Sequence, residues 1–482
     1  MGNAVEQSVD EIILSRKKAP KWYKNWKIVT LAVVLIVSLI LGSISYYQAN
    51  HFNSNISINS VNVSGLTSNE ALDKLQNSVL TNEIYVGDQQ VLDGKDTKMA
   101  FVEADLQEVK KLQKRQWTFF PSFKEKNFSL IPSNQDQYRS QTLKNEFEQT
   151  LAEMNKDLKA PVDAKAILEE GKITISTSIA GTQFNISNLL AEYDKHDYNS
   201  EIRLNPIYIQ PIREDDETVI KEQNKLQELL DHSVEYKVQD KIHTLKGADL
   251  IKSASVSNDL KITIHDQERI LNKIAEINDS QSTLGKEFTF KTHSGAVKKV
   301  KAQGYGWALD VEKEAVLIHE AFEKGEKSVT ASNIHGNGWS GEGYGYDTTT
   351  NNGIGDTYAE VSINEQRIWI YKDGKQVLST HVVTGKHSTG EDTSKGVWYI
   401  LYKRTPYTLT GSAVGNPNYS IQVDYWAPFT NSGQGFHDAS WRGNWNSNAY
   451  LTAGSGGCVN VPPSVMKAVY DNLSTYDPVV IY

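Results

Sequence analysis

The chain has 482 residues, a formal net charge of −9 and a single cysteine. One thiol rules out an intramolecular disulfide framework and a cysteine-only metal site, and the acidic balance argues against nucleic acid as a partner. No histidine pair shows a metal-ligand spacing, so neither a metal nor a cofactor is predicted.

Residues 28–47 carry no charged side chain and are rich in Val, Leu and Ile. Twenty residues rising ~1.5 Å each span about 30 Å, the thickness of a bilayer's hydrocarbon core. Arg16, Lys17, Lys18, Lys21, Lys24 and Lys27 precede this stretch, and no Lys or Arg follows it before Lys74. That asymmetry predicts a cytoplasmic tail over 1–27, a transmembrane signal anchor over 28–47 and an extracellular remainder in contact with the cell membrane. Trp22, Trp26, Tyr46 and Tyr47 suit the two interfaces. A cleaved signal peptide is the competing reading, but the apolar stretch is long for one and Leu41-Gly42-Ser43-Ile44-Ser45 is a weak cleavage site.

About 430 residues remain, room for about three domains at ~150 each. Without disulfides each must be held by its own core. Ile56 to Val63 reads as a short strand segment. Thr67 with Glu70 forms a capping box that starts a helix with Ala71, Leu72 and Leu75 on one face. Further on, Leu143 to Leu158 reads as a helix, and Lys172 to Ser178 and Leu260 to Ile264 as strands. Gly181-Thr182-Gln183-Phe184-Asn185-Ile186 is echoed by Gly306-Trp307-Ala308-Leu309-Asp310-Val311, each opening a helix that Asn185 or Asp310 would cap. The echo suggests two related tandem domains, 50–215 and 216–335, unless it is a coincidence of a common turn. Residues 336–355 are glycine-rich without hydrophobic period and read as a linker, with a ligand groove as the alternative.

Residues 356–482 read as a compact, mostly β domain. Tyr358 to Ile363 alternates, Arg367 to Tyr371 runs into an Asp373-Gly374 hairpin turn, and Val377 to Val383 returns. Val397 to Tyr402 is a further strand. Pro463 opens a last helix through Leu473, with Met466, Val469 and Leu473 on its buried side.

The lone Cys458 lies in Gly454-Ser455-Gly456-Gly457-Cys458-Val459-Asn460. A single thiol with a histidine elsewhere is a candidate nucleophile–base pair, and an inert buried thiol is the alternative. His437, in Phe436-His437-Asp438-Ala439-Ser440-Trp441-Arg442, is the preferred histidine over His381 and His387. Asp438 adjoins His437 and is poorly placed to orient the same ring, so a backbone carbonyl is expected there. Backbone N–H groups near Gly457 and Cys458 suit an oxyanion, with Ser455 and Gly456 shaping the pocket. Ser455 is equally a turn serine. Arg442 is a candidate for a substrate carboxylate or for a structural salt bridge. Tyr419, Trp426 and Trp441 are candidates for the cleft wall or for packing.

His-Asp-Ala-x-Trp-Arg at 437–442, Gly-Ser-x-Gly-Cys-Val-Asn at 454–460 and the Pro462-Pro463 helix start together resemble the L,D-transpeptidase catalytic domain, or YkuD domain. Tyr358 to Ile363, Trp369 to Gly374 and Val382 to Lys386 resemble its opening strands. Asn62 to Thr67, Pro161 to Lys165 and Tyr305 to Asp310 resemble the peptidoglycan-binding-like domains that precede it in Gram-positive members. The resemblance implies an α+β fold: a membrane-anchored ectodomain with tandem α+β peptidoglycan-binding-like domains and a mostly β catalytic domain. It implies peptidoglycan stem peptides and glycan as partners, with Cys458 attacking the third residue of a tetrapeptide stem. D-Ala would leave, and a neighbouring stem's amine would resolve the thioester into a 3→3 cross-link. An imidazolium at His437 would raise the thiolate fraction of Cys458, and carbapenem β-lactams would acylate it. The sequence departs from the family pattern twice. Gly456 stands where Ser-His-Gly-Cys is usual, and Thr393-Ser394-Lys395-Gly396 stands where Thr-Pro-x-Gly is frequent. An L,D-carboxypeptidase and a catalytically impaired wall-binding protein are the alternatives. A sortase shares the anchor and the Cys–His pair but not the residues around the cysteine.

Overall fold

The computed structural model describes residues 26–116 and 121–482. The basic residues expected on the cytoplasmic side, Arg16 to Lys24, and Trp22 lie outside them. The described residues fall into two compact units. One runs up to Asp163 and takes in Ser178–Pro211; the other joins Ala164–Thr177 to Ile212–Tyr482.

The first unit begins with the apolar helix Trp26–Asn50, which buries none of its side chains. At 25 residues it measures about 38 Å, long enough to cross a bilayer. Its globular part holds two apolar clusters. In one, the helix Ser68–Asn77 packs Ala71, Leu72 and Leu75 over strands Ile56–Ile58 and Lys126–Phe128. Its start follows the expected chemistry: Thr67 N–H donates to Glu70 Oε2 at 2.8 Å while Glu70 N–H returns to Thr67 Oγ1 at 3.3 Å. In the other, helices Lys144–Asp157 and Ile186–Tyr193 bury Phe147, Leu151 and Leu189 with Ile84 and Ile202 of a three-stranded sheet.

The second unit opens with a four-stranded sheet that pairs Ala166–Glu169 and Lys172–Ile175 with Ala254–Val256 and Ile262–Ile264. Strands from either side of the expected boundary at 215/216 thus share one sheet. Helices Glu217–Asp231, Glu268–Gln281 and Val311–Lys324 complete its core. Asp310 caps the last of these through Lys313 N–H, as Asn185 caps Ile186–Tyr193 through Asn188 N–H.

The C-terminal region is built on a five-stranded sheet. The terminal strand Pro478–Ile481 inserts between Tyr358–Ser362, to which it runs parallel, and Gly396–Tyr399, to which it runs antiparallel. Asp373 and Gly374 both have positive φ, 49° and 74°, the backbone of a two-residue hairpin turn. A second sheet of Trp426–Pro428, Gly435–Asp438 and Val459–Val461 shares the core with helix Pro463–Asn472 through Phe436, Val459, Met466 and Val469.

The stretch 336–355, read from sequence as a linker, is folded against its neighbours. Ile354 is buried, Tyr344 stacks on Tyr476 at 4.7 Å, and a Cβ on Gly343 would sit 2.5 Å from the His335 carbonyl. Its glycines serve close approach of backbones more than flexibility. The hairpin formed by Glu287–Lys291 and Val297–Lys301 also packs on the C-terminal region, where Phe288, Phe290 and Val300 join Tyr358, Val397 and Val480. Fully buried Glu360 accepts the His293 N–H at 2.9 Å and the Tyr482 hydroxyl at 2.5 Å, and His293 stacks on Trp369 at 3.6 Å.

Candidate active site

The pairing of two parallel strands brings the motifs together. Gly435–Asp438 and Val459–Val461 align so that His437 faces Asn460, with Cys458 one residue before the second strand. The intervening chain folds back through the short helix Ala449–Ala453.

The cysteine turn is fixed from several sides. Ser455 Oγ donates to the Cys458 carbonyl at 2.5 Å and accepts the Gly457 N–H at 3.1 Å. Ser455 is therefore a turn residue, and the Gly457 N–H is already engaged. The Cys458 N–H has no hydrogen-bond acceptor among the described residues. Thr393 Oγ1, buried, donates to the Gly457 carbonyl at 2.8 Å and accepts Gly385 N–H at 3.0 Å. Gly457 has φ +115°, and a Cβ there would lie 2.6 Å from Gln434 Nε2, so both backbone and space require glycine. Gln434 is itself held by the Ser394 N–H, which donates to its Oε1 at 2.9 Å. A proline at 394 has no such proton; the departure from Thr-Pro-x-Gly is thus used by a contact beside the nucleophile.

His437 is 3% exposed. Its ring is bonded on both nitrogens: Nδ1 lies 2.8 Å from the Asp438 carbonyl and Nε2 lies 3.0 Å from Asn460 Nδ2. Arg442 Nε and Nη2 donate to Asn460 Oδ1 at 3.1 and 2.8 Å. An arginine can only donate, so the Asn460 oxygen faces it and the Asn460 NH2 faces the ring. Nε2 is therefore the acceptor, and Nδ1 carries the proton that the Asp438 carbonyl takes. The orienting group is the backbone carbonyl of the next residue; the Asp438 carboxylate turns away to the Tyr425 N–H at 2.9 Å. Among the described residues Arg442 meets no carboxylate; it anchors Asn460 and the Ala453 carbonyl, the latter at 2.6 Å.

The electrostatics differ from the expected ion pair. Burial pushes the Cys458 thiol up to about 11. Burial also lowers His437, opposed in part by the Asp438 carbonyl. Both shifts favour the uncharged forms, thiol and imidazole, over a thiolate–imidazolium pair, because burial strips each charge of its solvation. The half-buried Cys458 packs against Leu409, Val423 and Trp426, and its Sγ points to the Gly433 carbonyl at 3.6 Å.

A cleft of about 650 Å³ opens over the sulfur. Its floor includes His437, Arg442, Cys458 and Asn460, with Trp441 at one side. A hairpin over 407–423, signalled in the sequence only by Gly415-Asn416 between the alternating Tyr407, Leu409 and Tyr419, Ile421, Val423, lines it with Tyr407, Leu409, Ala413 and Tyr419. Trp426 is buried with its ring 5.9 Å from His437, and Trp441 is 49% exposed with its ring 5.8 Å from His437. Ser455 and Gly456 lie at the rim; His381 and His387 do not line the cleft, and His387 is bonded to Asp392 at 3.0 Å. Grooves of about 840 and 710 Å³ elsewhere are larger but hold no cysteine.

The L,D-transpeptidase catalytic domain model (YkuD) matches residues 356–481. The NMR structure of the catalytic domain from the Enterococcus faecium L,D-transpeptidase is 39% identical over 26% of this chain and 97% of that one, with a TM-score of 0.25. Through this C-terminal region the chain belongs to the L,D-transpeptidase family. The same Enterococcus domain has been solved acylated by ertapenem. A crystal structure of a mutant E. faecium L,D-transpeptidase is 26% identical over 54% of this chain and 98% of that one, with a TM-score of 0.46. L,D-transpeptidase 3 from Mycobacterium tuberculosis, solved with a faropenem-derived adduct, is 22% identical over 26% of this chain and 60% of that one, with a TM-score of 0.23. A comparison with curated proteins finds no match.

Proposed function

We propose that this L,D-transpeptidase is a membrane-anchored enzyme that forms 3→3 peptidoglycan cross-links through a thioester on Cys458. The observation that carries the reading is the chain from the Asp438 carbonyl through Nδ1–H to an unprotonated Nε2 of His437 that accepts from Asn460, set across paired strands from the cysteine turn.

The reaction follows from a neutral pair. As the donor carbonyl enters the cleft, the thiol leaves the Gly433 carbonyl and gives its proton to His437 Nε2, which Asn460 releases. The C–S bond forms, and the Cys458 N–H donates to the oxyanion; one such donor is worth ~3–4 kcal/mol of barrier. The imidazolium then protonates the D-Ala nitrogen as its C–N bond breaks. In the second half, His437 takes a proton from the acceptor stem's side-chain amine. That nitrogen attacks the thioester, the C–S bond breaks and the thiol is restored. The aromatic walls Trp426, Trp441 and Tyr419 suit the apolar parts of a stem peptide and exclude water from the thioester.

The apolar helix Trp26–Asn50 and the basic residues before it support an anchor with the catalytic region outside, facing the wall. The upstream domains, which resemble peptidoglycan-binding-like modules, would hold glycan near the site. The ertapenem-acylated relative supports carbapenems as covalent inhibitors. The test is a single turnover of the full-length chain in detergent with a disaccharide-tetrapeptide, quenched in acid. A stem peptide lacking D-Ala should map to Cys458 and be missing from Cys458→Ser; an unmodified Cys458 would refute the reading.

A further inference from the structure

Among the described residues the roof hairpin pairs through its backbone only with itself: Tyr407–Ala413 and Asn416–Val423 form a two-stranded sheet. Something else must hold its far end down. At the tip, the Val414 N–H donates to Glu391 Oε1 at 2.7 Å, and the other carboxylate oxygen accepts the Thr389 hydroxyl at 2.6 Å. Glu391 stands on the loop that pairs with the cysteine turn: Lys386 N–H bonds the Ser455 carbonyl at 2.8 Å and Glu391 N–H bonds the Lys386 carbonyl at 3.0 Å. The hairpin tip is thus tied to the same loop that fixes Cys458.

Gly456 completes this arrangement. Its backbone is open to any L-residue, since its φ is not in the left-handed region. A Cβ there would nevertheless lie 3.2 Å from Ala413 Cβ and 3.8 Å from Glu391 Oε1. A methyl group would already press on the tip, and any side chain at 456 starts against Ala413 and beside the Glu391 carboxylate. A histidine at 456 therefore pushes against the hairpin in this position.

We propose that Glu391 and Gly456 are specificity-determining residues: the Glu391–Val414 bond latches the hairpin beside Cys458, the missing side chain at 456 lets the tip seat, and acyl donors reach the thiol more readily when the latch opens. This rests on the transpeptidase reading for what the donors are, but the latch itself does not. A charge-assisted bond at a half-exposed site holds the seated form by a factor of about five.

The test uses the full-length chain in detergent and two readouts. Hydrogen exchange of the amides over 407–423 reads the latch without any chemistry. It should speed up about fivefold in Glu391→Ala and in Gly456→His, and stay within about twofold of wild type in Glu391→Gln, whose amide oxygen still accepts from Val414. The acylation rate by ertapenem reads access to Cys458. In Glu391→Ala it should rise by the same factor of about five through a lower apparent KM at unchanged maximal rate, a split that a general loss of fold does not produce. Exchange over 407–423 equal to wild type in Glu391→Ala, or loss of the seated form in Glu391→Gln as well, overturns the latch. Wild-type protein that is never acylated overturns the transpeptidase reading, while the exchange data still judge the latch.

Discussion

Asn460→Asp changes one atom and inverts the electrostatics of His437. The two bonds from Arg442, at 2.8 and 3.1 Å, are kept and become an ion pair. The atom facing Nε2 at 3.0 Å changes from a donor to an oxygen that can only accept. The ring that fits is now the imidazolium, with Nδ1–H on the Asp438 carbonyl and Nε2–H on the introduced carboxylate. A carboxylate at this range raises a neighbouring titration by about 1–3 pH units, or ~1.4–4 kcal/mol. The wild-type ring titrates below the ordinary histidine range because it is buried, so its acid limb should lie below that range too. In the variant the acid limb should move to higher pH, with kcat/KM at pH 7 down about 10- to 100-fold and recovery toward alkaline pH. Stability should change sign with it. Wild-type His437 contributes stability above ~6.5 that is lost as pH falls toward its depressed folded value. In the variant the contribution is present below ~6.5 and lost as pH rises through the raised folded value. Ertapenem acylation followed by stopped-flow from pH 5 to 9, with thermal melts at the same pH values, reads both. An unmoved acid limb would refute the assignment of Nε2 as the base that faces Asn460.

The resting thiol gives an independent check. With Cys458 held at about 11, iodoacetamide alkylation should rise tenfold per pH unit from 7 to 9.5 with no plateau, whereas an ion pair with His437 would give a plateau near neutrality. Thr393→Val leaves a buried Gly385 N–H and Gly457 carbonyl without partners and should cost about 2–3 kcal/mol, seen as a lower melting temperature of the C-terminal region and slower acylation. Glu360→Ala removes the buried acceptor shared by His293 and Tyr482 and should cost about 2–3 kcal/mol. Its mark would be faster hydrogen exchange over the hairpin at 287–301.

What the sequence disclosed is local or carried by motif. The Thr67–Glu70 box, the Asn185 and Asp310 caps, the Asp373-Gly374 turn and the buried face of Met466 and Val469 each depend on residues a few positions apart. Cys458 and His437 stood out because one is unique and both lie in recognisable runs. The rest depends on pairing across long stretches of chain. Asn460 sat in the motif without a role until parallel pairing set it against His437. Gln434 and Ser394 meet only in the fold. The hairpin at 166–175 falls before the expected boundary at 215/216, yet Ile167 and Leu168 pair with Ser255 and Ala254 beyond it. The glycines of 336–355 signalled flexibility, but at Gly336, Gly338 and Gly343 backbones pass too closely for a Cβ. The neutral Cys458–His437 pair could not be read from residue types, since desolvation is a property of the packed site. The roof hairpin was legible in principle from Gly415-Asn416 and the alternation around it, but its apolar pattern is weak because it buries little beyond Leu409 and Val423.

Product analysis tests the central claim most directly. Full-length protein in detergent is incubated with disaccharide-tetrapeptide as both donor and acceptor, with Cys458→Ala alongside, and the products are sequenced by tandem mass spectrometry. The account predicts a dimer that has lost one D-Ala and is joined from the third residue of one stem to the side-chain amine of the third residue of the other, absent in the variant. Tripeptide without dimer would contradict the transferase and make the enzyme an L,D-carboxypeptidase; unchanged tetrapeptide would contradict both.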